Sequence, residues 1–289
     1  MERILIIGGT GNIGYPLVDA LSKNEKFELV VGVRNVKKAQ GIFDKFKNVT
    51  VVLFDFLDST TFPNAFSGVN KVFFIRPPQL SKPKEDMLPF LSYAKQQNIN
   101  QIVFVSLIGV EKNPVTPHHK IEKMIGELKI PHTFIRPSFF MQNLNTTHQE
   151  DIKIHHDLFI PAGNSRTSFI DTRDIGEIAA ICLTDEQYIN QELEITGPEA
   201  LTYNEIAKVM SDILDERITY SKPSLLKFRK TMLKRGLAKD YVNVMVMLYL
   251  ITQLGNAKKV TTTAEKVLKR APRTIETYVR DYKYDFIEK

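Results

Sequence analysis

Near the amino end, Gly8, Gly9, Gly11 and Gly14 follow an unbroken apolar run, Ile4-Leu5-Ile6-Ile7. They satisfy G-x-G-x-x-G, and also G-x-x-G-x-x-G. That chemistry needs bare backbone: one glycine for a tight turn, one for contact with a pyrophosphate, one for close packing of helix on strand. A helix starting near Asn12, with Leu17, Val18 and Leu21 at helical spacing, aims its amide end at the anion. Strand, glycines and helix in this order are the context in which the pattern reads as a dinucleotide site. The alternative is an ordinary strand-turn-helix whose glycines serve only the turn.

Further candidates lie downstream. A second strand, residues 27 to 33, ends about 20 residues beyond the last glycine, where an NAD site places an acid for the ribose 2′-hydroxyl. Here the residue is Arg34, followed by Lys37 and Lys38. A guanidinium can fork onto a 2′-phosphate, so NADP(H) is expected, with NAD(H) less favoured. A third strand, residues 49 to 54, ends at Asp55. Its carboxylate can accept from an adenine amino group or cap a helix at 59 to 65. Ser106 ends a fifth strand, at the height expected of a nicotinamide.

The elements that must position these residues alternate. Strand patterns at 27–33, 49–54, 71–75, 101–106 and 130–137 are separated by helical patterns at 36–46, 59–65, 83–97 and 116–128. Such alternation gives right-handed βαβ units and an α/β fold with a doubly wound parallel Rossmann sheet. A strand within 163–172, a helix through Leu183 and a last strand at 192–196 are expected to return to that sheet. The expected division is therefore 1–137 plus about 165–197 for the dinucleotide-binding domain, and about 138–164 plus 198–289 for a smaller, mainly helical substrate lobe. In that lobe Phe228, Met232, Met245, Met247, Tyr249 and Leu250 at helical spacing read as core, or as a compliant wall for a flat acceptor.

Composition narrows the setting. With 289 residues, 43% hydrophobic and 25% charged, the chain is ordinary for a globular protein. A lone cysteine, Cys182, permits no internal disulfide and suits a reducing, cytoplasmic setting. No cleavable signal fits the first residues, and the apolar run from Tyr241 to Ile251 is too short to span a bilayer, so no membrane partner is expected. The net charge of +6 is concentrated around Lys222 to Lys239, interleaved with Leu225, Phe228 and Met232. That pattern reads as an amphipathic helix with a solvated cationic face; no nucleic-acid motif accompanies it, and no metal site is expected.

Five stretches together carry a resemblance: GGTGNIG at 8–14, VGVRN at 31–35, FVSLIGV at 104–110, HHKIEKMIGELKIPHTFIRPSFFMQN at 118–143 and FIDTRDIGEIAA at 169–180. The chain resembles NmrA-like members of the atypical short-chain dehydrogenase/reductase superfamily. The resemblance implies NADP(H) as ligand, with Thr10, Asn12 and Ile13 on the pyrophosphate, Arg34 on the 2′-phosphate, and Asp55 and Phe56 at the adenine. Ile75, Arg76 and Ser106 would flank the ribose and nicotinamide; Phe139, Phe140 and Asn143 would line the substrate entrance. One departure matters. Superfamily enzymes that reduce carbonyls carry Tyr-x-x-x-Lys, and here those positions hold Pro114 and His118. His118, ordinarily titrating near neutrality, is the candidate proton donor, with Ser106 assisting. Without the tyrosine, a hydride acceptor must delocalise the incoming charge itself. The expected function is an NADPH-dependent reductase of quinone- or dye-like small molecules; the alternative is a non-catalytic NADP(H)-sensing regulator. The partners expected are a small-molecule acceptor and, as further candidates, a second copy of the chain or a regulatory protein.

Overall fold

The computed structural model describes residues 1–288. Its strands, in chain order, are β1 (Glu2–Ile7), β2 (Phe27–Val33), β3 (Val49–Leu53), β4 (Lys71–Ile75), β5 (Gln101–Val105), β6 (His132–Pro137), β7 (Phe139–Phe140), β8 (Thr167–Ile170), β9 (Gln191–Ile195) and β10 (Ala200–Leu201). Seven form one sheet in the order β3-β2-β1-β4-β5-β6-β9, every pairing parallel. Strand order reverses between β1 and β4, which opens a crevice at their carboxyl ends. Ile4, Leu5 and Ile6 are wholly buried because helices cover both faces.

The chain divides into two compact units, Met1–Pro137 with Thr172–Ile195, and Ser138–Asp171 with Thr196–Lys289. In the first, Gly14–Ser22 packs on Thr172–Thr184 with no space between them. A Cβ on Gly176 would lie 2.8 Å from the Ile13 carbonyl oxygen and 2.9 Å from the Leu17 nitrogen. The last turn of Thr172–Thr184 is closed from the sheet: Lys71 Nζ donates to Leu183 O at 2.7 Å and Gln101 Nε2 to Cys182 O at 3.0 Å. These satisfy carbonyls that a helix end leaves orphaned. On the other face Phe54, Phe56, Phe62, Phe74, Phe90 and Phe104 form the centre of an aromatic core. Arg136 on β6 is buried and forks onto Glu122 at 3.0 and 2.6 Å, fixing the Pro117–Glu127 helix; its Nη1 also meets Glu192 of β9 at 2.6 Å.

The second unit holds the sheet β10-β8-β7 and helices that include Gln149–His155, Tyr203–Leu214, Leu225–Lys234, Lys239–Gln253 and Ile275–Asp281. Phe228, Met232, Met245 and Tyr249 lie in its core, as helical spacing predicts, whereas Met247 and Leu250 are exposed.

Three expectations are corrected. β8, expected in the parallel Rossmann sheet, pairs with β7 and antiparallel with β10. Its four residues are all buried, and Phe169 belongs to the second unit's core; a run of four residues with only two apolar ones cannot say which sheet buries it. The helix expected at 83–97 is two, Pro83–Asp86 and Leu88–Gln96, broken at Met87 (φ −120°). Pro89 has no amide to give Glu85, so the helical ladder is interrupted across Met87. The helix expected at 36–46 stops at Phe43.

Alanine normally stabilises a helix by up to about 1 kcal/mol over glycine. For Gly176→Ala the opposite is expected, a net loss of about 1–3 kcal/mol from overpacking, measured by urea unfolding. A more stable variant would show that the two helices do not touch there. A second prediction concerns His148, which is buried with Nε2 2.6 Å from the Tyr249 hydroxyl. Burial pushes its pKa down to about 4. As pH falls, the unfolded chain therefore takes up the proton first, so this contribution to stability is intact above about 6.5 and is lost between there and 4. His148→Gln should flatten the acid limb of the stability profile by up to about 1.4 kcal/mol per pH unit. An unchanged slope would show that the imidazole titrates normally.

Candidate cofactor and acceptor site

The glycine turn follows β1 at the edge where strand order reverses. Gly8 takes φ +92°, in the left-handed region, and accepts from the Gly11 amide at 3.0 Å. A Cβ on Gly9 would stand 2.7 Å from Val31 Cγ1, and one on Gly14 would stand 2.2 Å from the Gly8 carbonyl oxygen. Both positions are bare because the fold's own packing leaves no room. Gly11 differs: it is exposed, and a Cβ there meets only Gly8 O at 3.4 Å. Its bareness serves something approaching from outside, as a diphosphate would. Thr10 and Asn12 are exposed beside it. The helix begins at Gly14 with Ile13 as N-cap, no capping side chain and no acid in its first turn, an end suited to an anion.

On the adjacent strand, Arg34 is exposed immediately beyond β2. Asn35 caps the Val36–Phe43 helix by accepting from the Lys38 amide at 3.0 Å, which sets exposed Lys37 and Lys38 in the turn next to Arg34. Three cations thus follow β2, and the residues fit an adenine dinucleotide carrying a 2′-phosphate.

Asp55 is half-buried and its Oδ1 accepts from the Leu57 amide at 3.0 Å. The cap of the following 3-10 turn is Asp58, not Asp55. The Phe56 ring does not reach outward as an adenine contact. It is buried in edge-on packing with Phe90 at 5.0 Å and Phe54 at 5.1 Å, so only its main chain is left for a ligand.

β4 ends at half-buried Ile75, whose side chain lies 3.8 Å from the Cβ position of Gly8. Arg76 does not stand free over the crevice. Its Nη1 donates to the carbonyls of Pro77, Pro78 and Leu80 at 2.8 to 3.0 Å, so the guanidinium shapes the turn that two prolines force out of the sheet. Ser106, one residue past β5, is buried; its amide donates to Ile135 O at 2.7 Å, while its Oγ has no partner among the described residues. Because Ile75 pairs with Val105, Arg76 and Ser106 follow adjacent strands at one edge.

His118 stacks on Phe104, ring centroids 6.0 Å apart and planes 21° from parallel. Burial, aided by the charge of Arg76, pushes its pKa down to about 3. An imidazole so shifted is uncharged near neutral pH, unlike the freely titrating histidine that the sequence alone suggests. Cys182 is unavailable as a nucleophile: it is fully buried, and burial raises its thiol pKa far above the usual range.

In the second unit, Phe139 and Phe140 pair in register with Phe169 and Ile170, and half-buried Asn143 ends the turn Met141–Asn143. Two features escaped sequence reasoning. Gln142, buried, donates to Asp171 Oδ1 at 2.8 Å, which ties this segment to the end of β8. A Cβ on Gly197 would sit 2.3 Å from Phe169 O, where the Gly197 amide already donates at 2.6 Å. The only sequence signal was the glycine itself, and nothing in its neighbours names the strand it meets.

Among the described residues, no helix is long and apolar enough to cross a membrane. The chain is 29% identical over 280 residues to prestalk A differentiation protein A of Dictyostelium discoideum, covering 96% of this chain and 91% of that protein. It is 28% identical over 283 residues to an NAD(P)H azoreductase of Xenophilus azovorans, covering 96% of each. In fold it matches an NADPH-dependent quinone oxidoreductase of Escherichia coli, crystallised with NADPH, at a TM-score of 0.87 with 21% identity, over 97% of this chain and 99% of that one. The NmrA-like family is matched across residues 1–279, and the chain belongs to that family.

Proposed function

We propose that the chain is an NADPH-dependent reductase of small conjugated acceptors, quinones or azo and related dyes. The carrying observation is the glycine turn at the switch point of the sheet, its outward-facing Gly11 backed by exposed Arg34 on the neighbouring strand. In this reading Gly8, Gly9, Gly11 and Gly14 shape the turn, and the main chain at Thr10, Asn12 and Ile13 holds the diphosphate. Arg34 forks onto the 2′-phosphate, Asp55 and the main chain of Phe56 meet the adenine, and Ile75 with the Arg76 turn flanks the ribose. Ser106 offers its unpartnered hydroxyl to the nicotinamide end.

NADPH supplies a hydride when bound. An uncharged His118 would not act as an imidazolium acid at neutral pH, and Pro114 stands where a catalytic tyrosine would be. A simple ketone needs protonation as its oxyanion develops, whereas a quinone or azo system spreads the charge and takes its proton from water. The azoreductase relative and the quinone oxidoreductase of like fold support this acceptor class. A second reading is an NADP(H)-sensing regulator. It is favoured by the missing acid–base pair and by a full-length relative named for differentiation.

NADPH oxidation against a panel of benzoquinones, naphthoquinones and azo dyes should show turnover with at least one; retention of NADPH with no turnover on any would establish the sensing reading instead. Arg34→Glu is expected to weaken NADPH about 30-fold or more beyond its effect on NADH, measured by fluorescence titration, as befits one charge-assisted pair lost and reversed. Equal losses would remove Arg34 from the 2′-phosphate. His118→Gln should keep the rate within about threefold from pH 5.5 to 8, with no ionisation near 6.5 in the native profile. An acid limb at that pH, abolished by the substitution, would restore His118 as the donor.

A further inference from the structure

The second unit carries a surface that a reductase of soluble acceptors does not need. Between Lys222 and Val260 the chain has nine lysines and arginines and a single acid, Asp240. This net +8 exceeds the +6 of the whole protein, so the rest of the chain is slightly acidic. The segment folds as the helices Leu225–Lys234 and Lys239–Gln253, which lie side by side with Arg229 Nε donating to Asn243 Oδ1 at 3.1 Å.

Lys239–Gln253 is apolar nearly all the way round. Val242, Met245 and Tyr249 face the core, while Tyr241, Val244, Met247, Leu248 and Leu250 are each at least 41% exposed on other sides, and Leu254 just past the helix is 68% exposed. A helix apolar on all sides is normally buried on all sides. On the neighbouring helix Leu226 is 81% exposed and stands in the same outward stripe, at i, i+4 and i+8 spacing, as exposed Lys230 and Lys234. On this helix an aliphatic side chain and lysines therefore share one outward stripe, and the helix beside it exposes further apolar residues.

The kind of cation identifies what covers it. The two arginines of the helical pair and its end are engaged within the chain, Arg229 with Asn243 and Arg235 with both carboxylate oxygens of Asp151 at 2.6 and 2.9 Å. The outward charges are lysines, flexible point charges that lay their stems along apolar surface and keep their heads in a polar layer. Protein interfaces are depleted in lysine. A second copy would bring one lysine-bearing face against another, which like-charge repulsion opposes. Lysines flanking aliphatic helix faces match a bilayer surface, with anionic headgroups above and acyl chains beneath. We propose that this helical pair is a peripheral docking surface for membranes rich in anionic lipid, the aliphatic residues entering the headgroup boundary while Lys227, Lys230, Lys234 and Lys239 neutralise phosphates. This is surface binding, distinct from crossing the bilayer, and it stands independently of the proposed reaction.

The test is flotation of the full chain with vesicles of phosphatidylcholine alone or containing about a third phosphatidylglycerol. Binding is expected only to the anionic vesicles and should weaken as salt is raised. Two variants dissect it: Lys230→Glu with Lys234→Glu, and Met247→Ser with Leu250→Ser and Leu254→Ser. Each should lower partitioning at least tenfold while circular dichroism and the thermal midpoint stay native, since every position changed is exposed. No binding to anionic vesicles overturns the proposal. So does full binding by the serine variant, which would reduce the effect to adsorption of a polycation. A native dimer that becomes a monomer in the serine variant, read by light scattering, would show that a second copy covers the face.

Discussion

The first unit depends on one close approach. The turn after β1 and the start of the next helix are so near that a single methyl group on Gly14 would overlap the Gly8 carbonyl, and Gly176 brings a second helix against the same turn. Packing of this density is intolerant of even one added carbon. It fixes the direction of the helix amino end, and so fixes where a diphosphate can lie. Arg34 stands exposed one strand away from this turn.

Much of this was legible in the chain. Uncharged strands buried on both faces, separated by helical periods, define a parallel sheet, and the glycines mark its first turn. The strands of the parallel sheet stand where the pattern puts them because each needs only local information: apolar identity, length and a breaker. β8 was misplaced because Thr167-Ser168-Phe169-Ile170 is short, half polar, and carries no mark of which partner it takes. That choice is made by residues far away in sequence, Ala200 and Leu201 on one side and Phe139 and Phe140 on the other.

The site was less legible than the fold, for a physical reason. Residue type tells what a side chain can do, not whether it is already engaged. Phe56 follows an acid at a strand end, which suggests an adenine neighbour, yet its ring is enclosed by Phe54 and Phe90. Arg76 is a cation at the right edge, yet it serves three carbonyls of its own turn. His118 keeps its place on the helix but stacks on Phe104, and burial favours its uncharged ring. Ser106 is the opposite case: a common residue whose hydroxyl the protein leaves unanswered. In each, the decisive fact is the side chain's engagement in the fold, whether with its own turn, as for Arg76, or with a residue far along the chain, as for Phe56 on Phe90.

The Thr172–Thr184 helix, with its carboxyl end held by Lys71 and Gln101, belongs to the first unit although the chain leaves that unit at Pro137 and re-enters only at Thr172. During synthesis the amino-terminal portion therefore emerges long before the helix that seals it. Until that helix and β9 are released, the bare face of Gly14–Ser22 and the open edge of β6 await segments still inside the ribosome. Nascent chains of this kind remain exposed to aggregation for longer than a fold built from one continuous stretch, and completion of the cofactor half is timed by the arrival of its second instalment.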